Sequence, residues 1–302
     1  MKEVKKLPSG IITKGIGGFY YVKTHDGIYE CKARGIFRKD EITPLPGDQV
    51  FISVIDEDKK IGSVDKIMPR QSELIRPAVA NVNQMAAVIA VKSPTPDFAL
   101  LDKLLITAKI KNINPIILIN KIDMDECREH EKIVNSYSKT GYNVILLSSK
   151  IDLGFESLAE AMRDKITVFA GQSGVGKSTI LNKIFDLSIM KTGEISNKIE
   201  RGRHTTRHAE LVGLKAGGFV VDTPGFSSYE LTDMECEELE IYYPEFKEFL
   251  NACKFVRCSH ISEPSCAVKE AVERGDIDMK RYERYIQIYN TLKKQRYARY
   301  KK

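Results

Sequence analysis

Residues 171–179 read GQSGVGKST, and their types and spacing are those of a phosphate cradle. Gly171, Gly176, Lys177 and Ser178 fit G-x-x-x-x-G-K-[ST], and the apolar run ITVFA at 166–170 supplies the strand that must precede such a loop. Glycines let the backbone N–H groups from Gly171 through Gln172, Ser173, Gly174, Val175 and Gly176 close around phosphates. The helix that continues through Thr179 presents its positive end to the same charge. Lys177 would reach the β- and γ-phosphates, and the Ser178 hydroxyl would hold Mg²⁺.

A phosphate loop does not choose between ATP and GTP. Upstream of it, NKID at 120–123 follows the strand-like NPIILI, and LSSK at 147–150 follows YNVIL. Asp123 offers a carboxylate to guanine N1–H and N2–H₂, Asn120 would tie the loops together, and Lys121 would lay its aliphatic stem along the base. Backbone amides near Ser148 and Ser149 would meet guanine O6. Alone, NKID reads as a polar strand-to-helix turn; in one chain with a phosphate loop it reads as a guanine reader. An ATP-using small-molecule kinase would need no such reader. A nucleotide-switched RNA-binding or assembly factor, with hydrolysis as a release timer, uses the same motifs.

DTPG at 222–225 follows the strand GFVV, so Asp222 would hold Mg²⁺ through water and the Gly225 N–H would meet the γ-phosphate. Between it and the phosphate loop, GRHTTR at 202–207 offers Thr205 and Thr206 as the switch threonine over Mg²⁺, and Thr206 is the expected residue. The order of motifs is a circular permutation of the usual GTPase order. In a parallel sheet each motif still falls at the carboxyl end of its strand, and those ends share one crevice. The position after Gly225 holds Phe226, which cannot orient water. His204 is the internal candidate for that role beside Lys177 and Thr206. The same imidazole, in a loop with Arg201, Arg203, Arg207 and His208, reads equally as a contact to phosphate or RNA.

A second constellation lies downstream. Cys253, Cys258, His260 and Cys266 follow C-x4-C-x-H-x5-C, the donor set of a closed, structural zinc site with no open position for catalysis. Cys31, Cys127 and Cys236 lie outside it and read as ordinary residues.

The elements that must position these residues fall in three segments. Residues 1–70 show short β-like runs such as FYYV, GIYECKA and DQVFISVI between Gly- and Pro-containing turns, the pattern of a small β-barrel. From 71 to 229, apolar runs alternate with helical stretches, which gives an α/β domain with a parallel sheet. Residues 230–302 turn acidic and helical, then cysteine-rich, then basic and helical. The chain has 302 residues, 42% hydrophobic and 29% charged, enough for two or three domains and a sizeable core. Its net charge is +6, and residues 277–302 hold nine Lys/Arg against Asp278 and Glu283. That tail is either a solvated helix or one that grips a polyanion. Tyr282, Tyr285 and Tyr289 form one helical stripe within it, expected to pack against the protein. No signal-peptide h-region or membrane-length apolar run is evident, so a soluble, cytoplasmic monomer is expected.

NKID, SSK, GQSGVGKS, GRHTT and DTPG in permuted order, with a β-rich N-terminal segment and C-x4-C-x-H-x5-C after them, resemble the bacterial RsgA (YjeQ) family of small-ribosomal-subunit biogenesis GTPases. The resemblance covers nearly the whole chain. It implies an N-terminal OB-fold, a central permuted G domain and a C-terminal zinc-binding domain. It also implies GTP hydrolysis to GDP, stimulated by the small subunit and its 16S rRNA during late maturation. Because DTPG runs directly into the C-terminal segment, nucleotide state is expected to move that domain.

Overall fold

Inward-facing side chains on alternate positions close the N-terminal strands on themselves. The computed structural model describes residues 8–35, 37, 42–188, 209–222, 231 and 234–300. Strands β1 (Ser9–Ile16), β2 (Phe19–Thr24), β3 (Gly27–Ala33), β4 (Gln49–Asp56) and β5 (Ile61–Ile67) pair in the order β1-β2-β3-β5-β4, and β4 pairs back onto β1. Closure removes the free edges. Ile12, Val22, Tyr29, Cys31, Ile52 and Val64 fill the barrel. Arg70 seals the exit, with Nε and Nη2 each 2.8 Å from an oxygen of the fully buried Asp48. A short hairpin of β6 (Glu73–Ile75) and β7 (Ala78–Ala80) follows.

The central sheet is built from β8 (Gln84–Ala90), β9 (Asn114–Asn120), β10 (Asn143–Leu146), β11 (Ile166–Ala170), β12 (Glu210–Gly213) and β13 (Phe219–Asp222), in the order β10-β9-β8-β11-β13-β12. The first five run parallel, and β12 runs antiparallel to β13. β12 also pairs with β1 at Lys14↔Glu210, which makes barrel and sheet one continuous array. Every residue of β8 and β11 is buried, as a sheet covered on both faces requires. On one face lie α1 (Phe98–Ile110) and α2 (Glu129–Ser138), through Leu101, Leu104, Leu105, Ile133 and Tyr137. On the other lie α3 (Phe155–Ala161) and α4 (Lys177–Ser188), through Phe155, Leu158, Ile180 and Ile184.

Beyond the sheet, the acidic stretch forms 3₁₀ turns at Cys236–Tyr242 and Pro244–Phe246 instead of an α-helix. Pro244 has no N–H to donate and pushes Tyr243 to extended backbone, φ −107, which ends the helical run. A third turn at Leu250–Ala252 leads to α5 (Ala267–Glu273) and α6 (Met279–Tyr300). Leu239, Phe246, Val268, Tyr285 and Ile288 form their core, and Ile106 of α1 reaches into it from the sheet side. Tyr282, Tyr285 and Tyr289 are all buried, so the tyrosine stripe packs inward. No helix among the described residues is long and apolar enough to cross a membrane.

Candidate functional site

The parallel strands deliver the motifs to one edge of the sheet. β9 ends at Asn120, β11 at Ala170 immediately before the phosphate loop, and β13 at Asp222, while Ser148 lies just past β10. Gly171, Gly174 and Gly176 all adopt positive φ (143, 81 and 98). A Cβ at Gly171 would stand 2.2 Å from Val88 O, and one at Gly176 would stand 2.4 Å from Asn120 Nδ2, so the loop is glycine where neighbours close on it. Ser173 and Gly174 at the crest, and Ser178 and Thr179 in the first turn of α4, are exposed.

Asn120 lies behind this loop. Its Nδ2 donates to Val175 O at 2.8 Å across 55 positions of sequence, with the side chain buried. Lys121 takes left-handed backbone (φ 65), and its Nζ donates to Gly174 O at 2.8 Å and also to Ser93 O. The ammonium thus bridges the phosphate loop to the segment after β8. The Ser148 hydroxyl donates to Asp123 Oδ1 at 2.5 Å, while the backbone N–H groups of Lys150 and Ile151 approach Ser148 Oγ at 3.3 and 3.4 Å. A carboxylate held from one side keeps its other lone pairs for a base edge. Lys177 donates to Gly171 O and Gln172 O at 2.7 and 2.8 Å, and burial holds its ammonium below the usual lysine range. Among the described residues, the buried Asn120 Oδ1, Ser149 Oγ and Gln172 Oε1 have no protein partner. Polar atoms gathered unpaired at one crevice suit a polar ligand. Thr205, Thr206, His204, Gly225 and Phe226 lie outside the described residues.

The cysteines converge as their spacing requires. Donor atoms of Cys253, Cys258, His260 and Cys266 all lie within 4.8 Å of one another. Cys253 Sγ is 3.8 Å from Cys266 Sγ, and His260 Nδ1 is 3.6 and 3.4 Å from the two sulfurs. A tetrahedron with metal–sulfur bonds of about 2.3 Å has edges of about 3.8 Å, so the donor set fits zinc. Burial and the neighbouring cysteines raise the Cys258 thiol above its ordinary value. Sequence alone does not disclose the supports. Glu240 Oε2 lies 2.6 Å from His260 Nε2, which leaves Nδ1 as the nitrogen that could ligate a metal, while Tyr282 and Tyr285 donate to the carbonyls of His260 and Ser259 at 2.7 and 3.0 Å. Glu240 lies 20 positions upstream of His260 with no local signal of this contact, and the tyrosine stripe was read only as packing against the protein.

Residues 67–232 match the family model described as RsgA GTPase, and residues 9–62 match RsgA N-terminal domain. A protein of Ruminiclostridium cellulolyticum named small ribosomal subunit biogenesis GTPase RsgA is 60% identical over 94% of this chain and 93% of its own length. One of the same name from Alkaliphilus metalliredigens is 48% identical over 96% of this chain and 99% of its own. Among solved structures, YloQ, described as a circularly permuted GTPase, superposes with a TM-score of 0.82 at 39% identity and covers 98% of both chains. YjeQ from Thermotoga maritima gives 0.81 at 35% identity, covering 95% of this chain and 99% of its own.

Proposed function

Because the chain belongs to the RsgA family of circularly permuted GTPases, with an N-terminal five-stranded barrel and a C-terminal Cys₃His cluster, we propose that it hydrolyses GTP to GDP and phosphate in late maturation of the small ribosomal subunit. Turnover is stimulated by the subunit, and hydrolysis times release. The observation that carries this reading is the Asn120–Val175 bond, which ties the base-reading loop to the phosphate loop.

Asp123 reads guanine N1–H and N2–H₂, Lys121 covers the base, and backbone near Ser148 and Ser149 meets O6. Gly171 to Thr179 hold the phosphates, with Lys177 reaching the β- and γ-oxygens and Gly225 meeting the γ-phosphate. Ser178, Asp222 and Thr206 would hold Mg²⁺. Bound there, the ion would neutralise charge that develops on the phosphate oxygens. Phe226 cannot orient the attacking water, so His204 or a group brought by the subunit does so. Cys253, Cys258, His260 and Cys266 would hold one structural Zn²⁺ with no position left for catalysis. Residues 1–70, 71–229 and 230–302 act as OB-fold, G domain and zinc domain. The protein works as a cytoplasmic monomer that contacts 16S rRNA.

The test is GTP turnover measured with and without purified small subunits. A rate left unchanged where subunits demonstrably bind would remove the ribosomal reading, and equal affinity for ATP and GTP would remove the guanine reader.

A further inference from the structure

Between the first two ligands of the Cys₃His cluster the chain forms a tip, Lys254-Phe255-Val256-Arg257, that the metal centre does not use. Its base is fixed. Cys253 and Cys258 belong to the cluster, the Lys254 N–H donates to Ser265 O at 3.3 Å, and Arg257 adopts left-handed backbone (φ 60). Its crest is not covered: Val256 is 94% exposed and Phe255 43%, in a domain that buries Tyr282, Tyr285 and Tyr289 to 9% or less. An apolar pair held in water on a rigid support marks an interaction surface.

The charges around it indicate what kind. Lys254 and Arg257 flank the apolar pair, and neither has a carboxylate partner among the described residues. By contrast Arg281, Arg284, Arg296 and Arg299 of α6 are all paired within the protein. The Lys254 ammonium lies 5.9 Å from the centroid of the Phe255 ring. Two free cations on either side of an exposed ring match a chain that alternates phosphates with unstacked bases.

The geometry points to this tip as a contact for single-stranded RNA, with Phe255 stacking on an unpaired base and Lys254 and Arg257 meeting the phosphates beside it. The proposed function enters only in naming the RNA, a single-stranded segment of small-subunit rRNA.

The test uses full-length, zinc-loaded protein titrated with a labelled single-stranded RNA oligonucleotide, with naked small-subunit rRNA and with intact subunits. Phe255→Ala should weaken binding to RNA about 5- to 150-fold, the usual effect of losing one stacking platform. Phe255→Tyr, which keeps the ring, should restore it. Lys254→Ala with Arg257→Ala should lower the slope of log affinity against log salt by about 1.4, roughly 0.7 for each contact to a single strand. Zinc content is measured on every variant. Should Phe255→Ala lose metal, Phe255→Leu, which keeps apolar volume without a stacking face, is expected to weaken RNA in the same direction. RNA affinity and salt slope equal to wild type would overturn the proposal. So would unchanged affinity for naked RNA with weakened subunit binding, which would make the partner a protein. Naked-RNA binding is read without turnover, so normal RNA binding without subunit-stimulated hydrolysis would count against the proposed function and not against this tip.

Discussion

Arg281 of α6 and Asp102 of α1 meet with Nη1 2.6 Å from Oδ1, both side chains all but sealed from water at 3% and 1% exposed. The same carboxylate accepts from the Tyr137 hydroxyl at 2.6 Å and from Arg284 Nε at 2.5 Å, and Glu245 takes the other side of Arg281. The guanidinium carbon sits 4.8 Å from the ring centroids of Tyr137 and Tyr243. Burial pushes the Tyr137 hydroxyl up, so it stays a donor. The C-terminal domain is therefore joined to the sheet's own helices by a buried charge network.

Removing one member of such a network strands the others. Asp102→Ala should cost about 3–5 kcal/mol, because Arg281 and Arg284 would lose their shared carboxylate inside the protein. Asp102→Asn, which keeps the shape, should cost less. Denaturant unfolding of zinc-loaded protein measures both, and a loss under about 1 kcal/mol, the level of a surface pair, would show that the network is not sealed.

That joint was invisible in the sequence, whereas much around it was legible. GIYECKA coincides with β3, and FYYV, NPIILI and ITVFA lie in β2, β9 and β11, because period-2 alternation and unbroken apolar runs are local signals. The Cys₃His cluster was legible because its four ligands lie close together in the chain. β1 and β12 were not read as strands: SGIITKGI has glycine at two of its eight positions, and ELVG is only four residues long. Partnerships across the chain, such as Asp102 with Arg281 and Glu240 with His260, carry no local signature. An acidic residue within a helix or a turn looks solvated until its partner is placed. The tail's arginines show the same limit: Arg281 and Arg284 are buried against Asp102 and Glu245, while Arg296 and Arg299 lie half exposed against Glu235 and Glu237, a division the charge count does not carry.

At the nucleotide crevice, Asp123→Asn should weaken GTP and improve a xanthine nucleotide, since an amide suits a base that carries O2. Gly176→Ala should weaken both, because its Cβ would stand 2.4 Å from Asn120 Nδ2 at φ +98 and prise the base loop from the phosphate loop. Nucleotide titration separates the two outcomes, and equal losses in Asp123→Asn would contradict the base-reading role.

At the metal centre, purified protein should carry about one zinc. Cys258→Ala should lose the zinc and destabilise the C-terminal domain while leaving nucleotide affinity largely intact. Glu240→Gln should keep the metal but hold it more weakly, by about 10- to 100-fold, through loss of the carboxylate behind His260. Competition with a chelator reads both, and zinc affinity unchanged in Glu240→Gln would remove that support.

Acid should loosen the same loop in a defined direction. Burial alone would raise the Glu263 carboxyl, but donors from Ser259 N–H, Ser259 Oγ and Ile261 N–H outweigh it and bring the carboxyl from 4.5 down to about 2. A depressed carboxylate stabilises the fold above its unfolded value, and the contribution fades as pH falls toward the folded one. The stability advantage of wild type over Glu263→Gln should be full at pH 7 and shrink from about 4.5 toward 2. Thermal unfolding of both proteins across that range would show a constant gap if the amide cage were not holding a charge.

The joint also limits how nucleotide state can act on the C-terminal domain. Parting the joint would mean pulling Arg281 and Arg284 away from the sealed Asp102 together with the apolar contacts around Ile106, so the network is expected to stay closed when the nucleotide changes. The other end of α6 is different. Arg296 and Arg299 grip Glu235 and Glu237, downstream of the DTPG segment, with all four side chains between 39% and 50% exposed. Exposed pairs screened by water give way easily. Movement from the γ-phosphate side should therefore be absorbed there while α1, α2 and the start of α6 remain one body. Ser136 Oγ donates to Asp278 Oδ2 at 3.0 Å across the joint, which offers a place to lock it. A variant carrying Ser136→Cys with Asp278→Cys, and the exposed Cys127 replaced by serine, is designed to be closed by oxidation and reopened by reduction, with disulfide formation and zinc content measured in both forms. Oxidised and reduced forms should show the same ratio of subunit affinities between a non-hydrolysable GTP analogue and GDP, and the same stimulated turnover. Loss of that ratio on oxidation, regained on reduction, would mean that the domain swings at the buried joint after all.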